Sequence, residues 1–91
     1  MNDQVFEPGI PLSITPKESS IPAITGGIFF LTRGGHPPYR YSVKTGGGTI
    51  DSEAGYYEAP NQSGKVTIVV TDKKGSSAEA IIEVLKDPRK N

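Results

Sequence analysis

The residues of this 91-residue chain that could take part in nucleophilic catalysis are a single histidine, His36, and scattered serines and aspartates. A serine–histidine–aspartate arrangement could be drawn with Asp51 or Asp72. Such triads are defined by geometry and not by order along the chain, and nothing in this spacing brings the three types together. We therefore interpret His36 as an exposed loop residue. The absence of cysteine excludes a thiol nucleophile, disulfides and cysteine-based metal sites.

Four carboxylates, on Asp51, Glu53, Asp72 and Asp87, could ligate calcium if loops brought them together. Calcium takes about six to eight oxygen ligands, and these acids lack the Asp-x-Asp-x-Asp-Gly spacing of a calcium loop. We interpret Asp72 instead as the cap of a turn. The glycine run at 46–48 precedes neither Lys-Ser or Lys-Thr nor a helix, so it predicts a turn and not a phosphate loop. The sequence predicts no catalytic residues, no metal and no cofactor, and hence no enzyme.

Tyrosines offer a different chemistry, the stacking of sugar rings. The chain has four of them, Tyr39, Tyr41, Tyr56 and Tyr57. One residue of the Tyr56–Tyr57 pair must face outward if the other faces inward, because side chains alternate along a strand. We assign Tyr41 and Tyr57 to the core, and we take His36, Tyr39 and Tyr56 as candidate glycan contacts.

Composition favours an all-β fold, since 11 glycines and 8 prolines punctuate short runs of Val, Ile, Thr and Tyr. Ten basic and ten acidic residues cancel, and no basic stripe marks a nucleic-acid surface. The longest apolar run, 28–31, is far too short to insert in a membrane, and the first twenty residues do not read as a signal peptide.

Alternation and turn residues predict about seven short strands, the pattern of a small β-sandwich. We expect a domain over residues 12–85, preceded by an arm or linker at 1–11 and followed by a charged tail at 86–91. Residues 17–22 read as a charged turn. The predicted strands cover residues 12–15, 26–33, 39–43, 49–51, 56–59, 66–71 and 78–85.

Inward positions of these strands predict the core. It should contain Ile14, Ile28, Phe30, Tyr41, Val43, Ile50, Tyr57, Val66, Ile68, Val70, Ala80, Ile82 and Val84.

The same alternation turns Phe29 and Leu31 outward, together with Ile81 on the last strand. Large apolar side chains exposed together mark an interface more often than chance. Either the arm at 1–11 packs over Phe29 and Leu31, or another protein does. These three residues are the candidate interface.

Four motifs occur in order: GGxPPYxYSV at 34–43, GTIDS at 48–52, GxYxAP at 55–60 and GxVTIxVTDxxG at 64–75. Together they resemble the bacterial and phage immunoglobulin-like repeats, over roughly residues 12–85. The resemblance implies a two-sheet, Greek-key sandwich without a catalytic set.

It also implies a function. Such modules act as spacers, stalks or adhesion domains of bacterial surface proteins, and they decorate phage capsids and tails. We therefore expect an extracellular, cell-surface or virion location. The expected partner is a protein or a neighbouring domain of a larger chain, with a glycan as the alternative.

Overall fold

The computed structural model describes residues 10–87, and within them every regular element is a strand. The prediction of an all-β sandwich is confirmed, with nine strands in place of about seven. They are β1 Ser13–Thr15, β2 Glu18–Pro22, β3 Gly27–Phe29, β4 Leu31–Arg33, β5 Arg40–Thr45, β6 Thr49–Ile50, β7 Tyr56–Glu58, β8 Gly64–Thr71 and β9 Ser77–Leu85.

Two strand predictions were wrong. Residues 17–22 were expected to turn, but β2 runs there, parallel to β9, with Ile21 buried opposite Val84. The predicted strand at 26–33 divides into β3 and β4 because the Phe30 N–H donates to the Gly55 carbonyl, 2.9 Å away, and so leaves the ladder.

The strands form two layers. One layer is a four-stranded sheet in the order β2-β9-β8-β5, in which the β2–β9 pair is parallel and the other pairs are antiparallel. The other layer holds the sheet β3-β7-β6 and the pair β1-β4, all antiparallel. A buried hydrogen bond of 2.7 Å between the Thr32 and Tyr41 hydroxyls joins the layers.

The core between the layers follows the predicted alternation closely. Ten of the predicted residues are buried, while Ile28, Val43 and Ile50 are partly buried against them. Sequence analysis missed three further buried apolar residues, Ile21, Ala23 and Tyr39.

The longest ladder, between β8 and β9, defines two poles. Thr71 pairs with Ser77 at one end, and Gly64 pairs with Val84 at the other. The chain comes in at the first end, where the Ile10 carbonyl accepts a hydrogen bond from the Gly35 N–H. We call this end, formed by residues 10–12, 34–38 and 72–76, the N-terminal pole.

The chain leaves at the opposite end, where the Leu85 carbonyl accepts a hydrogen bond from the Ala23 N–H. We call this end, formed by residues 22–26, 60–63 and 85–87, the C-terminal pole. The nine residues of β9 span about 27 Å between the poles. This exceeds both short dimensions of the 50 × 23 × 17 Å body, so the strands follow its long axis.

Candidate binding face and its supports

Two large apolar side chains stand on the outer surface of the β3-β7-β6 and β1-β4 layer. Phe29 is 62% exposed and Leu31 is 66% exposed. Phe29 pairs with Tyr56 across the β3–β7 ladder, and their ring centroids lie 4.5 Å apart at an interplanar angle of 45°. We call Phe29, Leu31 and Tyr56 the Phe29 face.

A glycine shapes this face. A Cβ atom on Gly27 would collide with the Tyr56 hydroxyl, so the tyrosine ring lies across β3 in the space that a side chain there would fill. Tyr56 is therefore half-buried, while Phe29 projects beyond it. The aromatic pair provides a fixed apolar surface.

Polar side chains surround the Phe29 face on both sides. Thr15 lies opposite Leu31 in the β1–β4 ladder, and Glu58 lies between Gly27 and Thr49 in the other sheet. An apolar centre with a polar rim is the usual anatomy of a protein–protein interface.

The third candidate interface residue, Ile81, does not join this face. It lies on the outer side of the other layer, where it is partly buried and pairs with Glu18 and Thr67. The alternation correctly turns it outward, but the two layers face opposite directions. Ile81 instead lines a shallow depression among polar side chains, including Lys65 and Glu83.

The three candidate glycan contacts do not share a surface. Tyr39 is only 3% exposed, and its hydroxyl donates to the Gly34 carbonyl over 2.7 Å, so its assignment as a surface contact is wrong. The Tyr39 ring packs in the core, and its hydroxyl is bonded to the loop at 34–38. His36 lies at the N-terminal pole, whereas Tyr56 lies on the Phe29 face.

Asp72 fastens the loop at 34–38 to the β8–β9 turn. Its side chain is fully buried. One carboxylate oxygen accepts the His36 N–H over 2.9 Å, and the other accepts the N–H groups of Lys74 and Ser76, each at 2.9 Å. The predicted turn cap is confirmed, and it also holds a loop that is 36 residues away in the sequence.

Electrostatics at Asp72 favour the ionised form. Burial raises the pKa of this carboxyl, but the N–H donors of His36, Ser76 and Lys74, together with the His36 ring 3.8 Å away, outweigh it. The pKa of Asp72 therefore lies below the ordinary value of 3.8.

The four acids considered for calcium do not converge. Asp51 accepts the backbone N–H groups of Glu53 and Ala54 within its own turn, which lowers its pKa, and Asp72 serves a different turn. Across residues 10–87, no three histidine or acidic side chains group in a way that could hold a metal ion. The same residues contain no helix long and apolar enough to cross a membrane.

Comparison with known proteins gives information about the fold alone. No family model matches the chain, and no curated protein matches it either. The structure resembles part of a crystal structure from Bacteroides fragilis, of a protein provisionally named an α-galactosidase. The TM-score is 0.57 at 19% identity, over 78% of this chain and 16% of that chain. A likeness at this identity shows the fold alone, and the chain spans about a sixth of that protein's length.

Proposed function

We propose that the chain is a non-catalytic, immunoglobulin-like module of a bacterial or phage surface protein. It acts as a structural spacer and docks a protein partner through the Phe29 face. The motifs at 34–43 and 64–75 and the two-layer sandwich support this class. Asp51 and Asp72, the two aspartates considered for a serine–histidine–aspartate arrangement, are instead bonded to backbone N–H groups in two separate turns.

The observation that carries the spacer role is the position of the two poles. The chain comes in beside Gly35 and leaves beside Ala23, at opposite ends of the β8–β9 ladder. Units joined in series would follow one another along the strands, and each would add its long dimension. A module with both termini at one pole would instead protrude sideways.

The docking role depends on Phe29 and Leu31. Both are more than 60% exposed, although burial of side chains of this size is favourable by about 1.5–3 kcal/mol each. The apolar arm residues Val5 and Phe6 lie outside the described part of the chain, so packing by the arm stays an alternative to a protein partner.

A second candidate function is carbohydrate binding, and the Phe29–Tyr56 ring pair favours it. Aromatic side chains on a sheet surface, flanked by the Glu58 carboxylate and the Thr49 hydroxyl, suit a ligand with apolar and hydroxyl-bearing edges. A glycan array separates the two, since a spacer that docks protein binds no glycan.

The spacer role is tested with a gene that encodes two copies of the full chain in series. Small-angle X-ray scattering should give a maximum dimension of about twice the 50 Å of one unit. A single copy is the control. A two-copy chain scarcely longer than one copy would contradict the spacer role, since the units would then lie side by side.

A further inference from the structure

The turn at the C-terminal pole contains a strained residue. Ile24 has a φ of +69°, and it is the only non-glycine residue with a positive φ among those described. The Thr25 N–H donates to the Ala23 carbonyl over 2.7 Å, which closes a three-residue turn around Ile24. A β-branched side chain in this region is a genuine outlier, because its Cβ crowds the backbone.

The surroundings hold Ile24 in this conformation. Its N–H donates to the Pro60 carbonyl over 2.9 Å, and the Gly26 N–H donates to the Pro22 carbonyl over 3.0 Å. Glycine would adopt this φ at a smaller cost. A backbone outlier that its surroundings over-determine points to a role for the side chain.

That side chain belongs to an apolar patch where the chain leaves the domain. Ile24 is 43% exposed and Leu85 is 46% exposed. Pro22 pairs with Leu85 at the end of the β2–β9 ladder and is exposed beside it, and Pro60 lies partly buried next to the turn. We call these four residues the Ile24 patch.

The opposite pole also exposes apolar side chains. Ile10 is 46% exposed there, and Pro11 and Pro38 are exposed with it. A second unit that follows along the strand axis would bring its N-terminal pole against the Ile24 patch. The chain still packs against the domain two residues beyond the end of β9, because Asp87 is buried there.

The size of the pole indicates what kind of second unit fits. A body 23 by 17 Å across has an end surface of only about 400 Å², so two stacked poles bury about 800 Å², less than stable free complexes bury. Such a contact forms when the units are tethered, since a tether raises the effective concentration to about the millimolar range.

We propose that the Ile24 patch is the contact surface for the N-terminal pole of a second copy of this chain joined in series after residue 91. The strained isoleucine serves this contact and not the stability of its own domain. The inference rests on the proposed spacer function and adds to it a stiff joint between units.

The test measures rotational diffusion of the two-copy chain by ¹⁵N relaxation, with Ile24→Asn in both copies as the variant. The unchanged two-copy chain should tumble as one rod, and Ile24→Asn should shorten its rotational correlation time by about a third to a half. Val69→Asn, an equally polar change on the outer side of the four-stranded sheet, should leave the correlation time unchanged. In a single copy, Ile24→Asn should shift the midpoint of thermal unfolding by less than about 5 °C, because Ile24 lies outside the buried core.

Equal correlation times for Ile24→Asn and the unchanged two-copy chain would overturn the joint, as would an unchanged chain whose units already tumble independently. A midpoint lowered by more than about 5 °C in the Ile24→Asn single copy would show that the isoleucine serves its own domain, and it would also overturn the proposal. Both failures leave the scattering result on overall length intact, so they are distinguishable from failure of the spacer role.

Discussion

Replacing Asp72 by alanine is expected to lower the midpoint of thermal unfolding by on the order of 10 °C. The change removes the acceptors of three backbone N–H groups, those of His36, Lys74 and Ser76. These three hydrogen bonds are partly buried, so water replaces the carboxylate only incompletely, and the loop at 34–38 also loses its attachment to the β8–β9 turn. Differential scanning calorimetry measures the midpoint directly.

Asp51→Ala is the matched control. Asp51 also accepts two backbone N–H bonds, but its turn is exposed, so water replaces the carboxylate and the shift should be only a few degrees. Equal shifts for the two variants would contradict the attachment role of Asp72.

The stability of the Asp72→Ala variant should also depend on pH differently from that of the unchanged chain. The pKa of Asp72 is lower in the folded state than the ordinary 3.8. The ionised carboxyl therefore makes its full contribution to the stability of the fold above pH 3.8. The contribution is lost as the pH falls through the lower, folded-state pKa. The difference in stability between the unchanged chain and Asp72→Ala should therefore be constant near neutral pH and shrink in acid below about pH 3.8.

Replacing Phe29 and Leu31 together by serine is expected to leave the fold intact and to weaken docking at least about tenfold. Both side chains lie outside the core, so the free energy of unfolding should change by less than about 1.5 kcal/mol, mostly through the lost Phe29–Tyr56 contact. Light scattering detects self-association, and titration with the partner detects docking.

Val69→Ser on the outer side of the four-stranded sheet is the control for this pair, since Val69 is partly exposed on the opposite layer. Unchanged light scattering and unchanged partner binding in the double variant would rule out the Phe29 face as an interface. Loss of glycan binding with unchanged protein binding would favour the carbohydrate function instead.

Strict alternation explains how much of the fold could be predicted. Val66, Ile68 and Val70 face Ala80 and Ile82 across β8 and β9, and a period of two determines their burial without tertiary information. The outward positions of Phe29 and Leu31 follow from the same rule.

Other features depend on contacts that local patterns do not encode. The strand β2 contains one buried large residue, Ile21, among polar ones, and parallel pairing with β9 stabilises it. Tyr39 is buried because its hydroxyl bonds back to the Gly34 carbonyl within the loop. No sequence rule places an isoleucine at a positive φ, since propensity argues against it.

The sequence also predicts the candidate sites only in part. Alternation identifies Phe29, Leu31 and Ile81 as outward-facing, but only the strand order shows that Ile81 lies on the other layer. The turn-forming role of Asp72 follows from its position before Gly75, whereas its bond to His36 depends on how the poles are assembled.

The distance between the two poles in a single chain tests the central claim most directly. Because the chain has no cysteine, Pro11→Cys and Lys86→Cys provide two unique sites for spin labels, both at exposed positions. Double electron–electron resonance should give a separation of about 30 Å, set by the length of the β8–β9 ladder. A separation below about 15 Å would place both sites at one pole, and the chain could not then act as an in-line spacer.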